Sequence, residues 1–306
     1  MRTLRFHEYG APLDVLTLEE TESPTPGPGQ IRVNVQACGL NPADWALCDQ
    51  LFAGDLPRGV GLEVAGTVDA LGDGVTGIEI GADILGPAPF AGPTAGASGQ
   101  ALLDVWFERP PQLDAVRAAA LPMAVETAYR GVDTLGVHKG ATVLVHGAGT
   151  TVGYAATQIA VGRGARVIAT AGETHADALR AIGAEVTGYG DGMAERVREL
   201  AGGPVDLALD AAPVSGALPR LVATVETPKH VLTLSDFAAA RELGVRFSGP
   251  GGEGVVRPEV IGEYAQLAAE GRFSVPVART FPLEDWRAAV ELSQSGRARG
   301  KLVLVL

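Results

Sequence analysis

Residues 141–170 read ATVLVHGAGTTVGYAATQIAVGRGARVIAT, and this stretch decides the fold. An apolar run at Val143–Val145 predicts a strand buried on both faces. A glycine-rich turn follows, and apolar residues then recur at helical spacing as far as Ile159. A second apolar run at 166–170 predicts another strand. The order strand, glycine turn, helix, strand is typical of a dinucleotide-binding unit.

The glycines of this turn have a specific purpose in such units. They allow the backbone to approach a diphosphate, and the start of the following helix offers unpaired N–H groups and the positive end of its dipole. We therefore predict that the turn binds the cofactor through Gly147, Gly149, Val152 and Gly153.

Two threonines occupy positions where comparable turns usually carry further glycines. Threonine adopts a positive φ less readily than glycine, so Thr150 and Thr151 predict an altered loop geometry. Their hydroxyls are able to donate hydrogen bonds to a diphosphate, and we include both among the cofactor-binding residues.

Composition limits the class of protein. The 306 residues suggest two domains, and the net charge of −12 argues against binding to nucleic acid or to an anionic membrane. The N-terminus lacks a signal-peptide core and no stretch reaches 18 apolar residues, so we expect a cytoplasmic protein. The two cysteines, Cys38 and Cys48, exclude a four-cysteine zinc lobe. Free thiols are favoured over a single disulfide between them.

The rest of the chain shows two kinds of pattern. Residues 1–86 predict turn-dense β-structure, and residues 87–99 form a Pro/Gly-rich loop that either connects strands at the surface or borders a cleft. From 141 to 234, strands alternate with helices, which predicts a doubly wound parallel sheet. The strands are expected at 142–145, 166–170, 185–187, 205–209 and 230–234, and the helices at 152–162, 174–182, 192–201 and 214–225.

Six motifs in order resemble the medium-chain dehydrogenase/reductase superfamily, and most closely its zinc-independent quinone oxidoreductase branch. They are NPAD at 41–44, GLEVAGTV at 61–68, LPMAVETAYRGV at 121–132, VLVHGAGTTVG at 143–153, FPLEDW at 281–286 and GRARGKLVLVL at 296–306.

The resemblance implies a chaperonin-10-like irregular β-barrel domain at 1–117 and 272–306, and a Rossmann cofactor domain at 118–271, with the cofactor between them. It also implies a homodimer. Zinc-dependent relatives have Cys where this chain has Asn41, and His where it has Leu62. Neither replacement is a good zinc ligand, so we expect no catalytic metal.

The second strand of the unit favours NADPH over NADH. NAD-selective enzymes usually place an acidic residue at its end, whereas this chain continues Thr170-Ala171-Gly172. We predict that Thr170, His175 and Arg180 contact the cofactor. The resemblance adds Tyr189, which corresponds to a family tyrosine near the adenosine phosphate. The alternative for Arg180 is an ordinary solvated position on a helix.

Three further polar residues are site candidates through the resemblance. Asn41 and Asp44 would lie near the nicotinamide and orient substrate or water, and the alternative is that they fix a turn and cap local N–H groups. Thr127 corresponds to a threonine beside the nicotinamide, or else bonds the preceding helical turn. Some relatives have a tyrosine as proton donor downstream of the NPxD motif, where this chain has Phe52.

Together these features predict a zinc-independent, NADPH-dependent reductase that transfers hydride to a small apolar quinone, enone or related conjugated carbonyl. One alternative is a biosynthetic enzyme of the same fold that catalyses cyclisation, isomerisation or elimination without net redox chemistry. Another is a nucleotide-binding protein without turnover.

Overall fold

The computed structural model describes residues 1–306, which divide into two compact units. The first unit comprises Met1–Met123 and Ile261–Leu306, and the second comprises Ala124–Val260. The predicted domain limits after residues 117 and 271 both fall within the first unit. No helix combines the length and the hydropathy that a membrane span requires.

The N-terminal part of the first unit consists mainly of antiparallel strands. Leu4 and Phe6 point into its core, which explains the alternation seen at the start of the sequence. Its strands are β1 (Arg2–Phe6), β2 (Leu16–Glu20), β3 (Ile31–Leu40), β4 (Arg58–Gly59), β5 (Glu63–Leu71), β6 (Asp83–Pro87), β7 (Gln100–Leu103) and β8 (Phe107–Glu108). Its helices are α1 (Pro12–Val15), α2 (Pro42–Cys48) and α3 (Ala115–Ala119). Cys38 and Cys48 are buried free thiols, as predicted.

The 87–99 loop is only partly a surface connection. Its second half is buried, and the Ala97 N–H donates to the Val60 carbonyl at 2.9 Å while the Ala97 carbonyl accepts from the Leu4 N–H at 2.9 Å. This half of the loop is therefore part of the β-unit itself.

The second unit is a six-stranded parallel sheet flanked by helices. Its helices are α4 (Pro122–Leu135), α5 (Thr151–Gly162), α6 (Glu173–Ile182), α7 (Met193–Ala201), α8 (Leu218–Val222) and α9 (Phe237–Leu243). Its strands are β9 (Thr142–His146), β10 (Arg166–Thr170), β11 (Glu185–Thr187), β12 (Leu207–Asp210), β13 (Val231–Thr233) and β14 (Arg246–Phe247).

The strand order is β11-β10-β9-β12-β13-β14, and every neighbouring pair is parallel. This is the Rossmann order, so the predicted doubly wound sheet is confirmed. The predicted helix at 214–225 is shorter than expected because Gly216 adopts φ +66°, outside the helical region. Val143, Leu144 and Val145 are buried in the centre of the sheet.

The C-terminal part returns to the first unit. It contains α10 (Val260–Ala269), β15 (Val277–Pro282), α11 (Trp286–Gln294) and β16 (Lys301–Val305). Strand β16 pairs parallel with β15 and antiparallel with β3, inside a sheet of order β15-β16-β3-β5-β6-β8 with β7 also on β3. The last residues of the chain therefore complete a sheet that begins near residue 31.

Candidate functional site

The glycine turn lies at the carboxyl end of β9, near the middle of the parallel sheet. Strand β9 has β10 on one side and β12 on the other, so the helices that follow β9 and β12 leave in opposite directions. In open parallel sheets, this reversal point is where ligands bind.

Two of the three glycines of the turn meet a specific structural requirement. Gly147 has φ +74°, and a Cβ atom there would lie 2.6 Å from the Ala212 nitrogen. A Cβ on Gly153 would lie 2.2 Å from the Gly147 oxygen, so only glycine lets α5 pack this closely. Gly149 is different, because a Cβ atom added to it would make ordinary van der Waals contacts, with the His175 Cδ2 at 3.4 Å and the Ala171 Cβ at 3.9 Å.

Unpaired N–H groups converge on the same place. The Ala148 and Thr150 N–H groups donate within the chain, to the Thr170 and Gly147 carbonyls. The N–H groups of Gly149, Thr151 and Val152 have no acceptor in the chain. Three free donors at a helix N-terminus form a cradle suited to an anion.

The two threonines of the turn have different roles, and neither needs a positive φ. Thr150 caps α5 in ordinary extended geometry, with φ −78° and ψ 164°. Its hydroxyl accepts from the Gly153 N–H at 3.0 Å and donates to the Ala211 carbonyl at 3.0 Å. The Thr150 hydroxyl is therefore engaged within the protein. Thr151 begins α5 and is half-buried, which leaves it the better placed of the two for a ligand.

Thr170 and His146 support the turn from the strand ends. The Thr170 hydroxyl is buried, lies 2.7 Å from the His146 Nδ1, and accepts from the Gly147 N–H at 3.3 Å. Burial, with a smaller contribution from the Arg220 charge, lowers the pKa of His146 to about 4. His146 is therefore neutral near pH 7, and Thr170 acts on the turn rather than at an open surface.

The remaining predicted cofactor contacts separate into two groups. His175 lies beside Gly149 with its ring at the edge of Tyr154, at 6.0 Å between centroids, and its Nε2 is buried without a partner. Arg180 is in the last turn of α6, about 10 Å along the helix from its start, and pairs with Asp177. Tyr189 is exposed in the loop after β11. Of these three residues, the structure places only His175 against the turn.

Two residues near the turn were not predicted from the sequence. Arg220, on α8, is half-exposed and weakly paired with Asp191 at 3.7 Å, and its charge affects His146. Asp210 ends β12 and is buried, where it accepts from the Thr233 hydroxyl at 2.8 Å and the Ala212 N–H at 3.3 Å. Desolvation raises the pKa of Asp210 to about 6. Only the position of Asp210 at a strand end could have drawn attention to it in the sequence.

In the first unit, Asn41 and Asp44 belong to a buried polar network at the start of α2. Asp44 accepts hydrogen bonds from the N–H groups of Asn41 and Gly61, both at 2.7 Å. Desolvation outweighs these bonds and raises the pKa of Asp44 to about 7. The predicted alternative, in which Asp44 caps local N–H groups, is what the structure shows.

The Asn41 carboxamide is held at both ends. Its nitrogen donates to Glu63 at 2.8 Å, and its oxygen accepts from the Lys301 ammonium at 2.6 Å. Lys301 also pairs with Glu63, and both side chains are fully buried. Glu63 accepts a further bond from the Met123 N–H at 2.8 Å. Asn41 therefore has a fixed orientation, with one amide hydrogen left over.

Thr127 is half-buried on α4 in the second unit.

The residues near Asn41 do not fit a zinc ion: the structure contains no group of three or more His, Cys, Asp or Glu side chains arranged for a metal. At Asn41, the carboxylate of Glu63 is already paired with the Lys301 ammonium, and a carboxamide is a poor zinc ligand.

Comparison with known proteins identifies the superfamily of this chain. The family model described as zinc-binding dehydrogenase matches residues 146–304, and the alcohol dehydrogenase GroES-like domain matches residues 27–100. The chain belongs to the medium-chain dehydrogenase/reductase superfamily. Its fold, a Rossmann-like parallel sheet with a GroES-like unit, agrees with that membership.

The relatives of this chain include a polyketide synthase system protein and a quinone oxidoreductase. The chain is 32% identical over 299 residues to the spectinabilin polyketide synthase system protein NorB of Streptomyces orinoci, covering 91% of this chain and 13% of that protein. It is 33% identical over 175 residues to human quinone oxidoreductase, covering 56% of this chain and 53% of that protein. The matched regions thus span about an eighth and about half of these relatives.

Among solved structures, the quinone oxidoreductase of Coxiella burnetii has a TM-score of 0.86 at 26% identity, covering 100% of this chain and 99% of that one. A structure titled NAD-dependent alcohol dehydrogenase has a TM-score of 0.87 at 27% identity, covering 100% of both chains. These comparisons support an oxidoreductase of the superfamily that uses a nicotinamide cofactor.

Proposed function

We propose that this medium-chain dehydrogenase/reductase is a zinc-independent, NADPH-dependent reductase of quinones, enones or related conjugated carbonyls. The observation that carries this proposal is the anion cradle at the glycine turn, where the N–H groups of Gly149, Thr151 and Val152 have no acceptor in the chain. Such a cradle suits the diphosphate of a dinucleotide. When bound, the nicotinamide supplies the hydride.

The preference for NADPH rests on what surrounds the adenosine side of the turn. Strand β10 ends at Thr170 without a carboxylate, which an NAD-selective ribose contact would normally require. His175, with its unpaired Nε2, and the cation Arg220 are the groups we propose to favour a 2′-phosphate. Tyr189 and Arg180 are weaker candidates because both are largely exposed.

In the first unit, we propose that Asn41 orients the oxygen of the acceptor through the amide hydrogen that Glu63 leaves free. The Lys301 ammonium on the other end of the carboxamide polarises it, which strengthens its remaining N–H as a donor. Asp44 holds Asn41 in place through the backbone, and Thr127 is proposed to contact the nicotinamide. With Phe52 in place of a tyrosine, the proton comes from water.

The test is an absorbance assay at the nicotinamide band with NADPH or NADH and a panel of quinones, enones and enoyl thioesters. We expect oxidation of NADPH with at least one conjugated acceptor and a lower KM for NADPH than for NADH. His175→Ala should raise the KM for NADPH and leave the KM for NADH unchanged. Equal KM values for the two nucleotides would contradict the NADPH assignment.

The same assay addresses the alternatives. Product formed without net loss of NADPH would favour a cyclisation, isomerisation or elimination, and tight nucleotide binding without turnover would favour a non-catalytic role. A homodimer in solution, which the superfamily resemblance implies, is checked separately by analytical ultracentrifugation.

A further inference from the structure

One buried carboxyl group of the second unit has no part in the function proposed above. Asp210 ends β12, the strand beside the one that leads into the glycine turn, and is 3% exposed. The hydrogen bonds that it accepts come from neutral groups, the Thr233 hydroxyl and the Ala212 N–H. Desolvation raises the pKa of Asp210 to about 6, and a carboxyl group buried without a cation is costly. A costly group at the ligand-binding edge of a parallel sheet points to a functional role.

The hydrogen bonds around Asp210 join the segments that follow β12 and β13. Its Oδ2 accepts from the Thr233 hydroxyl at 2.8 Å, and its Oδ1 accepts from the Ala212 N–H at 3.3 Å. The Thr233 hydroxyl oxygen accepts in turn from the N–H groups of Ser235 and Asp236, both at 3.2 Å. The Ser235 hydroxyl closes the ring by donating to the Ala212 carbonyl at 2.7 Å. Ala212 is therefore held at both its N–H and its carbonyl.

The residue held in this way packs against the glycine turn. A Cβ atom on Gly147 would lie 2.6 Å from the Ala212 nitrogen, and the neighbouring Ala211 carbonyl accepts from the Thr150 hydroxyl at 3.0 Å. These contacts lie on the β12 side of the turn, whereas His175 follows β10 on the other side. A dinucleotide with its diphosphate on the turn extends one half to each side, and its adenosine half lies on the side of the second strand, β10. The nicotinamide half therefore belongs on the β12 side.

We propose that Asp210 is a positioning residue that, together with Thr233 and Ser235, holds Ala212 where the segment after β12 binds the nicotinamide half of the cofactor. The proposal rests on the dinucleotide binding argued above and adds a requirement that NADH and NADPH share, because their nicotinamide halves are identical. Loss of this positioning should weaken the binding of both nucleotides by the same factor. Loss of the His175 side chain, in contrast, should affect NADPH alone.

The experiment separates the two halves of the cofactor by calorimetry with reduced nicotinamide mononucleotide and with adenosine 2′,5′-bisphosphate. Ser235→Ala and Thr233→Val are uncharged substitutions, so they leave the net charge of the site unchanged. Each should weaken the binding of the mononucleotide about fivefold, as expected for one lost hydrogen bond, with a change of about twofold at most for the bisphosphate. Asp210→Asn should shift the ratio of the two affinities in the same direction. Thr233→Ser, which keeps the hydroxyl, should recover most of the loss seen in Thr233→Val.

Asp206→Asn is the matched control, because Asp206 directly precedes the same strand at its opposite end, and its carboxylate also accepts a backbone N–H, from Thr142 at 2.7 Å. It should change neither affinity. Equal losses for both probes would show that the ring of hydrogen bonds only supports the fold, and an unchanged mononucleotide affinity in Ser235→Ala and Thr233→Val would also overturn the proposal. Ser235→Ala decides this even if Thr233→Val does not fold. A selective loss of the mononucleotide in a protein that oxidises NADPH with no acceptor would overturn the reductase assignment and leave the role of Asp210 standing.

Discussion

At the scale of single residues, the glycine turn shows how little of a nucleotide site depends on flexibility. Only Gly147 in the turn needs a positive φ. Gly153 is required for close packing, and Thr150 is an ordinary helix cap. The threonines therefore replace glycines at positions where no left-handed backbone is needed.

Gly153→Ala should damage the turn, because the added Cβ would lie 2.2 Å from the Gly147 oxygen. We expect a loss of about 1–3 kcal/mol in the free energy of unfolding and at least a tenfold loss of NADPH affinity. Gly162→Ala is the matched control on the same helix, since its Cβ would meet no atom within 4 Å. The control should gain up to about 1 kcal/mol. Denaturant unfolding and fluorescence titration measure both effects, and equal behaviour of the two variants would refute the packing role.

The two threonines should separate stability from binding. Thr150→Ala removes a helix cap and the bond to Ala211, and should cost about 1 kcal/mol of unfolding free energy. Thr151→Ala should leave stability nearly unchanged and weaken NADPH binding. The reverse pattern in the same two measurements would show that the Thr151 hydroxyl is not the one that contacts the ligand.

At the scale of secondary-structure elements, the polar network of the first unit joins the end of β3 and the start of α2 to the starts of β5 and β16. Its members are Asn41, Asp44, Glu63 and Lys301, all buried. A buried Glu–Lys pair does little for stability by itself, but removing one partner leaves the other charge uncompensated.

Lys301→Met should therefore destabilise the protein by roughly 3–5 kcal/mol, since it removes the buried partner of the Glu63 carboxylate. The double variant Lys301→Met with Glu63→Gln removes both charges and should recover much of this loss. Urea unfolding at pH 7 provides the comparison. If the double variant is less stable than the single one, the uncompensated charge is not the cause.

Asp44 should make the first unit less stable as the pH rises. Its pKa is raised to about 7 from 3.8, so the folded state binds the proton more tightly than the unfolded state. The stabilisation from this protonation is complete below about pH 4 and is lost as the pH rises to about 7. His146, with its pKa lowered to about 4, contributes the opposite slope below pH 6.5.

Replacement of Asp44 by Asn removes its titration, so unfolding free energy measured from pH 4 to 8 should fall less with pH than in the wild type. The absolute stability of the variant will also change, because asparagine cannot accept both backbone N–H bonds. The readout is therefore the slope. Asp55→Asn, at an exposed position, is the control and should leave the slope unaltered. An identical slope in Asp44→Asn would show that Asp44 does not titrate in this range.

At the scale of the whole molecule, the first unit is built from both ends of the chain. Strand β16 lies between β15 and β3, so it alone connects β15 to the rest of the sheet. Lys301 on the same strand neutralises Glu63. The C-terminal strand therefore contributes both backbone pairing and charge balance.

Deletion of residues 301–306 should abolish the cooperative unfolding transition of the first unit. Circular dichroism during thermal unfolding and limited proteolysis measure this effect. Val305→Thr is the control, because Val305 is on the same strand with its side chain partly exposed, and it should unfold with nearly the wild-type midpoint. Retention of a cooperative transition after the deletion would show that β16 is dispensable.

The sequence by itself determined the second unit in detail. Strands at 166–170 and 185–187 have the predicted bounds, and β9 extends the predicted strand by one residue. These signals are local, because hydrophobic periodicity and turn glycines act over a few residues. Such patterns can be recognised from the sequence alone. The cofactor turn could be located on the same basis. The short length of α8 was not predicted, because the sequence does not reveal that Gly216 adopts a left-handed backbone conformation.

Only the tertiary structure decided the chemistry of the side chains. Lys301 contacts Asn41 across 260 residues, and Arg58 bridges the Phe52 and Phe90 carbonyls. The structure likewise shows that the Thr150 hydroxyl donates to the Ala211 carbonyl, 61 residues away in the chain. Hydrogen bonds and desolvation depend on which distant groups share a buried space, and that is fixed by folding rather than by spacing along the chain.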